Sequence, residues 1–416
     1  MFYLLFIIYL VFFCWLIPRI KFFKNTGLGK YFLIGLFIAR VLAGLINGYI
    51  FLYYYPVSDI AFFHQQGIEE FHLLFHNTAE YFTNIFQTNH SGYGAFLESS
   101  NSYWNDTRSN LIIKMLSIFD IFSGKNFFIN SLFFNFLVFF GTAALYKVFI
   151  EIFPTQKIVV VICVFLLPSV IFFSSAIHRD GLIYLSISMV IYHLFFMMKN
   201  KYYPWKKILI TLFFTLLIVL LRNFVLIIML PALLSWLIAA KRPKYSLIIF
   251  SGVYFFLGIL FFCTTFLPHA YNLPAHVAGR QAAFIEIAKG GVSSISINLL
   301  HPNFKSFLIN IPQAINHSFM RPYLTEHVNF LYILSALEIF FYEVLFLFFI
   351  FFRKKNMLIY PLIYFSIFFT ITMFIVIGYT IPIIGAIVRY RSIYFPFVLI
   401  PVICYTDWSK IKKLII

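Results

Sequence analysis

The feature that most constrains this chain is a succession of long apolar runs separated by short basic segments. A helix needs about 20 apolar residues to cross a bilayer, and the runs meet or approach that length. They are continuous and lack the alternation of barrel strands, so helix is the element that can span here. With 62% apolar and only 11% charged residues, the chain is not an ordinary soluble domain. The runs are 1–18, 31–55, 126–149, 158–177, 181–198, 208–221, 224–240, 245–267, 328–352, 357–378 and 392–406.

From these runs we predict an all-α integral membrane protein, a single polytopic membrane domain over residues 1–416 with about 11 transmembrane helices. One piece, 208–240, is too long for a single crossing and carries Arg222 at its middle. We expect two short helices there, arranged as a hairpin with the arginine at the turn.

Two longer polar segments leave the membrane, a first external loop at 56–125 and a second at 268–327. Each contains a stretch with helical periodicity that is too short to span, 111–123 in the first loop and 304–315 in the second. Amphipathic helices of this kind lie in the membrane interface. We therefore predict a short interfacial helix in each loop.

The distribution of charge predicts the orientation. One set of loops, if cytoplasmic, holds 19 of the 31 Lys and Arg residues, while ten of the 14 acids lie on the other side. By the positive-inside rule, this is a multi-pass protein of the cytoplasmic (inner) membrane with its N-terminus outside and its C-terminus cytoplasmic. The net charge of +17 is then a topology signal, and no nucleic-acid partner is expected. The cytoplasmic segments are 19–30, 147–157, 199–207, 241–244, 353–355 and the C-terminal tail.

Asp59 follows the second apolar run, and His64 comes five residues later. A carboxylate at the membrane surface can act as general base toward a hydroxyl group, or help to hold a divalent cation such as Mg²⁺ or Mn²⁺. The alternative is a solvated residue near a helix N-cap, since Ser58 and Asp59 precede a helical period. We predict Asp59 and His64 as catalytic residues. No metal site is predicted, because the histidines are scattered and the four cysteines lack CxxC spacing.

The tightest cluster of ionisable residues is His178-Arg179-Asp180, in the short external turn between the predicted fourth and fifth spans. Charged groups at this depth are costly and usually face a cavity or a partner. Arg179 can bind a phosphate while Asp180 orients the arginine or the histidine. The alternative is that Arg179 and Asp180 pair with each other and cap two helix ends. We predict a catalytic role for Asp180, a phosphate contact for Arg179 and a supporting role for His178.

Four further arginines are predicted to bind phosphate. Arg222 has no acid near it in sequence, and a buried guanidinium can bind a phosphate through two parallel hydrogen bonds. Arg389 and Arg391 precede the last span, where snorkelling toward the interface is the alternative. Arg321 lies in the second loop. Glu338, inside the ninth predicted span, can pair with one of these arginines and is predicted as a supporting residue.

Several of these segments resemble C-type (GT-C) polytopic membrane glycosyltransferases and membrane proteins of unassigned function from Bacteroidetes. SDIAFFHQQG at 58–67 is similar to the acidic first external loop of the glycosyltransferases, and the run 125–149 is similar to their third span. LLPSVIFFSSAIHRDGLIYL at 166–185, RPYLTEHVNFLYILSALE at 321–338 and RYRSIYFPF at 389–397 resemble the bacterial proteins.

The resemblance implies a membrane glycosyltransferase at the outer face of the cytoplasmic membrane, working in cell-envelope glycan assembly. Its donor would be a polyprenyl-phosphate-linked sugar and its acceptor a glycan or a lipid. Arg222, Arg389 and Arg391 would hold the leaving phosphate, while Asp59 deprotonates the acceptor hydroxyl.

Three alternatives stay open. One is an oligosaccharide polymerase or ligase acting on undecaprenyl pyrophosphate. Another is a flippase or transporter of lipid-linked glycans, which predicts inverted repeats and broken helices at the membrane midplane. The third is a purely structural membrane subunit.

Overall fold

The computed structural model describes residues 2–55, 58–86, 103–289, 291, 293–326, 329–354 and 359–415. Within these ranges the regular elements are helices, and strand-like pairing is limited to isolated bridges. The prediction of an all-α polytopic membrane protein is confirmed. Residues 56–57 and 87–102 of the predicted first loop lie outside the described residues.

The α-helices include those expected from the apolar runs and the two predicted interfacial segments, together with others such as 59–76 and 273–288. Numbered in chain order, they are α1 Phe2–Leu16, α2 Lys21–Lys24, α3 Lys30–Tyr49, α4 Asp59–His76, α5 Thr78–Thr83, α6 Tyr103–Ser123, α7 Phe127–Ile152, α8 Lys157–Val161, α9 Pro168–Ser174, α10 Arg179–Asn200, α11 Trp205–Ala239, α12 Ser246–Cys263, α13 Leu273–Ala288, α14 Phe304–Ile315, α15 Phe330–Phe352, α16 Pro361–Thr380, α17 Ile384–Ser392, α18 Phe395–Tyr405 and α19 Trp408–Ile415.

Among the described residues, eight helical segments are long and apolar enough to cross a membrane, or up to ten if each of two bent helix pairs counts as one span. The prediction of about 11 counted 208–221 and 224–240 separately, whereas both lie in α11. The eight segments are Phe2–Arg19, Lys30–Tyr54, Phe127–Ile152, Arg179–Asn200, Trp205–Ala239, Pro243–Phe266, Phe330–Phe352 and Pro361–Thr380; the bent pairs are Lys157–Leu166 with Pro168–Ser174 and Ile384–Ser392 with Phe395–Tyr405.

Where the sequence predicts one membrane domain, the described residues form two compact units. The first unit contains residues 2–86, 103–151 and 164–223, and the second contains 152–163 and 224–415. The boundary at 223/224 falls inside α11, next to the residue that interrupts it.

α11 is interrupted at Arg222, whose backbone is extended, with φ −153° and ψ 87°. Two half-length helices are therefore present, joined by one non-helical residue, and their hairpin arrangement stays a prediction. A break in a helix exposes backbone N–H and C=O groups that need other partners. Beside this break, Arg108 donates from Nη2 to the side-chain Oδ1 of Asn223 at 3.0 Å.

Both segments predicted to form loop helices are helical, and their position in the membrane interface stays a prediction. α14 has the predicted bounds, and its N-cap Asn303 accepts a hydrogen bond from the Ser306 N–H through Oδ1 at 2.8 Å. The segment 111–123 forms the second half of α6, which packs along α4 in the first unit. Lys114 on α6 binds Glu70 on α4, with 2.5 Å between Nζ and Oε2.

Glycines allow close helix packing within each unit. In the first unit, a Cβ at Gly141 on α7 would lie 2.6 Å from the Cα of Leu185 on α10. In the second unit, a Cβ at Gly378 on α16 would lie 1.9 Å from the carbonyl oxygen of Ala314 on α14. Such approach of backbones through small residues is typical of helix packing in membranes.

Candidate functional site

Four ionisable side chains of the first unit form a continuous series of contacts, which we call the acid–base cluster. His178 Nε2 lies 3.1 Å from Asp59 Oδ2, and His178 Nδ1 lies 2.8 Å from Asp180 Oδ2. On its other oxygen, Oδ1, Asp180 lies 2.8 Å from Arg222 Nη2. The sequence predicted a role for each of these residues, and the structure brings them together from three distant segments.

The cluster runs from the surface into the interior of the first unit. The side chain of Asp59 is 56% exposed, whereas those of His178, Asp180 and Arg222 are 5%, 0% and 7% exposed. A substrate can therefore reach the cluster at Asp59. Of the three buried members, His178 contacts the Asp59 carboxylate directly.

Asp59 is the first residue of α4, but the residue that caps this helix is its neighbour. Ser58 is the N-cap: its Oγ accepts from the Ala61 N–H at 3.3 Å and donates to the Phe51 carbonyl at 3.0 Å. The capping role proposed as the alternative for this region thus falls to Ser58. The carboxylate of Asp59 contacts His178.

Buried polar side chains fix the turn that carries His178. Arg40 on α3 donates from Nη2 to the Ser174 carbonyl at 2.5 Å, and Asn135 on α7 donates from Nδ2 to the Ser175 carbonyl at 3.0 Å. Carbonyls at the end of a helix lack intrahelical partners, and α9 ends at Ser174. With this turn fixed, His178 enters α10 in extended conformation, with φ −153° and ψ 163°.

Arg179 is half-buried and contacts the helices of the first loop. Its Nη2 donates to Ser109 Oγ at 2.9 Å, and its guanidinium lies 5.6 Å from the centre of the Phe63 ring. Because Asp180 binds both His178 and Arg222, its role extends beyond capping a helix end.

Sequence reasoning missed two arginines that build this region. Arg108, on α6, binds the amide of Asn223 beside the break in α11. Arg40 is the only charged residue in the run 31–55, and a lone charge in a span is itself a signal of a specific partner. No sequence pattern identifies that partner as the end of α9.

His64 does not join the acid–base cluster through any contact among the described residues. Its ring packs edge-on against Phe127, with 5.4 Å between ring centres. Burial lowers the pKa of His64, which favours the neutral imidazole. Its catalytic role stays a prediction.

The other predicted residues belong to the second unit. Arg391 is fully buried, and its Nη1 donates to the Ser318 carbonyl at 2.7 Å. The burial excludes snorkelling and leaves no surface of this side chain open to a phosphate in this conformation. We therefore interpret Arg391 as an anchor for the turn that follows α14.

Arg321 and Glu338 have partners within the second unit. Arg321 pairs with Glu326, at 2.9 Å between Nη1 and Oε1. The carboxylate of Glu338 accepts a hydrogen bond from the hydroxyl of Tyr342 one turn later. Arg389 is half-buried and donates from Nη2 to the hydroxyl of Tyr390 at 3.3 Å.

A divalent cation does not fit this donor set. In the part of the chain that the structure describes, no group of three or more His, Cys, Asp or Glu side chains could hold a metal ion. The Asp180 carboxylate is bound to Arg222, and Asp59 faces an imidazole rather than a second acid. No step is therefore assigned to Mg²⁺ or Mn²⁺.

The acid–base cluster is arranged to hold and move a proton. A neutral imidazole has one N–H and can donate to only one of two flanking carboxylates. The contact of His178 Nε2 with Asp59 is a hydrogen bond, and a protonated ring would in addition be attracted to the nearby carboxylate of Asp180. A buried carboxylate that orients a histidine and stabilises its protonated form is a recurring device of general-base catalysis. Arg222 pairs with the carboxylate of Asp180 at this buried position.

Comparison of the chain with family models, with curated proteins and with solved structures finds no match. Function is therefore argued from the chemistry of the site and not from descent.

Proposed function

We propose that this chain is a membrane glycosyltransferase that uses a polyprenyl-phosphate-linked sugar at the outer face of the cytoplasmic membrane, in cell-envelope glycan assembly. The observation that carries the proposal is the contact between the exposed carboxylate of Asp59 and the buried ring of His178, which is supported by Asp180 and Arg222. Transfer of a sugar from a lipid phosphate needs a base for the acceptor hydroxyl and donors for the leaving phosphate.

In the proposed reaction, Asp59 takes the proton of the acceptor hydroxyl while that oxygen attacks the anomeric carbon of the donor. The bond between the anomeric carbon and the phosphate oxygen breaks, and its electron pair leaves with the phosphate. With its own proton on Nδ1, which faces Asp180, His178 can take over the proton from Asp59 at Nε2, and Asp180 then stabilises the protonated ring.

Arg179 is the arginine of the first unit best placed to bind the leaving phosphate. It is half-buried, whereas Arg222 is buried against Asp180. Its guanidinium carbon lies 5.6 Å from the centre of the Phe63 ring, and the edge of a guanidinium can bind a phosphate through two parallel hydrogen bonds.

The direct test is sugar transfer by purified protein in liposomes that contain polyprenyl-phosphate-linked sugars. We expect release of polyprenyl phosphate together with formation of a glycosylated product, both lost in Asp59→Asn. Glu80→Gln, which removes an exposed carboxylate from α5, serves as the matched control and should keep activity. Release that persists at the wild-type rate in Asp59→Asn would contradict the proposal.

A second candidate, a flippase of lipid-linked glycans, is favoured by the interrupted spans. α11 breaks at Arg222, and two further candidate spans are bent helix pairs. Discontinuous helices are typical of substrate sites in transporters. The same liposomes separate the two candidates, because a flippase would expose the lipid-linked sugar to an external reagent without releasing polyprenyl phosphate.

A further inference from the structure

The short connection between α10 and α11 carries a concentration of lysines and exposed aromatic rings. Its sequence, KNKYYPWKK at 199–207, holds four lysines, two tyrosines and one tryptophan. We call residues 199–207 the basic–aromatic turn. The side chains of Tyr202, Tyr203 and Trp205 are 64%, 56% and 65% exposed. Because both flanking helices are candidate membrane spans, we expect this turn to lie at the depth of the lipid head groups.

Backbone hydrogen bonds fix the shape of the basic–aromatic turn. The N–H groups of Lys201 and Tyr202 bond to carbonyls in the last turn of α10, at 3.3 and 3.2 Å, in the Schellman pattern. The Pro204 carbonyl accepts hydrogen bonds from the first turn of α11. Lys201 has a left-handed backbone, with φ 49°, at a position that usually belongs to glycine. Since this conformation costs a lysine more than a glycine, the choice of lysine indicates a use for its charge.

Acids of the protein do not neutralise the charge of the basic–aromatic turn. Lys199 pairs with Glu151 on α7. In the part of the chain that the structure describes, the other three lysines of the turn form no ion pair. The sequence from 181 to 285 contains no Asp or Glu. Lys201 and Lys206 are exposed, so their ammonium groups are open to a negative partner.

The exposed rings of the turn indicate which kind of anion it fits. Tyrosine and tryptophan prefer the boundary between lipid and water, because each has an apolar body and a polar tip. Lys206 Nζ lies 5.7 Å from the centre of the Trp205 ring, within the range of a cation–π contact. Rings beside lysines without acid partners suit a ligand that has an apolar part next to a negative head group. A soluble anion offers nothing to the rings.

We propose that the basic–aromatic turn binds the head group of an anionic phospholipid, of the phosphatidylglycerol type, on the predicted cytoplasmic face. Lys201 and Lys206 bind the phosphate, while the three exposed rings pack against the glycerol and the adjoining part of the acyl chains. The lipid thereby holds the end of α10 beside the start of α11. These are the two helices that carry the buried ion pair of the acid–base cluster.

The test measures quenching of tryptophan fluorescence by brominated lipids in phosphatidylcholine nanodiscs that hold the full chain. The signal of Trp205 is the difference between wild type and Trp205→Phe. A minor share of dibrominated phosphatidylglycerol should quench this signal more strongly than the same share of dibrominated phosphatidylcholine. In Lys201→Gln/Lys206→Gln, the preference for phosphatidylglycerol should fall by about fivefold for each lysine removed, the typical contribution of a basic residue near an anionic lipid surface.

Lys241→Gln/Lys244→Gln is the matched control, because it removes two exposed lysines from the turn between α11 and α12. It should keep the wild-type preference. Asp59→Asn should keep it as well, because the acid–base cluster does not contact this lipid. Inorganic phosphate in the buffer should relieve the quenching no more than chloride at the same ionic strength. Equal quenching by the two lipids in wild type, an equal loss in the control variant, or specific relief by inorganic phosphate would overturn the proposal.

Discussion

Arg222 and Asp180 form a buried ion pair, with 2.8 Å between Nη2 and Oδ1, that joins the break in α11 to the first turn of α10. Asp180 suits this position because the N-terminus of a helix favours a negative charge. Removing two charges from water is costly, and good geometry is needed to offset it. The pair orients His178 and, through it, the carboxylate of Asp59.

Removal of either Arg222 or Asp180 should therefore lower the stability of the protein, in addition to any effect on activity. Arg222→Met leaves the Asp180 carboxylate buried without its cation, which typically costs about 3–5 kcal/mol. The double variant Arg222→Met/Asp180→Asn removes both charges and should recover much of the thermal stability in detergent, but no activity, because His178 loses the buried carboxylate that stabilises its protonated ring. If Arg222→Met melts like wild type and only activity is lost, the phosphate contact predicted from sequence is the better description.

Asp59 is the residue whose chemistry can be tested most sharply. As general base it should tolerate Glu poorly and Asn hardly at all, because Asn cannot accept the proton, and general-base help is typically worth about 10²–10⁴-fold in rate. Ser58→Ala removes the helix cap instead and should cost only about 0.5–2 kcal/mol of stability. Transfer rates normalised to folded protein separate the two effects. An Asp59→Asn enzyme as fast as wild type would leave this carboxylate without a catalytic role.

Because α14 packs closely on α16, we expect that replacing Gly378 with a larger residue destabilises the protein. Gly378→Ala would place a methyl carbon 1.9 Å from the Ala314 carbonyl oxygen, so the two helices would have to separate. We expect a loss of about 1–3 kcal/mol or more, the usual cost of overpacking, seen as a lower melting temperature. Gly258→Ala in α12 is the matched control, since no atom lies within 4 Å of its added carbon. Equal melting of the two variants would contradict this packing.

The orientation of the chain is predicted from the distribution of charge, and cysteine labelling tests it. In a background without Cys14, Cys163, Cys263 and Cys404, Glu80→Cys should react with an impermeant maleimide added to intact cells. Asn200→Cys should react only after the membrane is permeabilised. Both positions are exposed, unlike Ser175 in the turn before α10, which is fully buried. Labelling of Asn200→Cys from outside would reverse the topology and the choice of external face.

The sequence predicted most of the fold because a membrane-spanning helix can be recognised from its apolar composition. A run of about 20 apolar residues has few alternatives to a transmembrane helix, and α14 was predicted with its observed bounds. The interruption of α11 was also visible, since Arg222 is a charge in an apolar run. Composition could not show whether a single residue or a longer turn separates the two halves of α11.

The sequence predicted which residues form the candidate site but not how they contact one another. His178 and Asp180 are neighbours in sequence, whereas the contact of Asp59 with His178 depends on how α4 packs beside the turn before α10. Arg222 has no acid near it in sequence and finds one in Asp180 only through packing. Arg391 shows the same limit, because its position before the last span suggested exposure and the structure buries it against Ser318.

Protonation of His317 should lower the free energy of unfolding in acid, and this loss can be assigned to that one residue. It lies in the turn after α14, where burial and then the charge of Arg321 lower its pKa to about 4. In the unfolded chain the pKa is about 6.5, so the unfolded state binds the proton first on acidification. The stability that neutral His317 contributes is therefore complete above pH of about 6.5 and is lost as the pH falls toward its folded value.

The expected loss is at most about 1.4 kcal/mol per pH unit, or roughly 3 kcal/mol across that window. Melting temperatures of detergent-solubilised protein at pH 7 and pH 5 measure it. His317→Gln cannot take the proton and should narrow the difference between the two pH values. His301→Gln, which changes an exposed histidine of the same predicted loop, should keep the wild-type difference. If His317→Gln and wild type lose the same stability between pH 7 and pH 5, the acid sensitivity arises elsewhere in the chain.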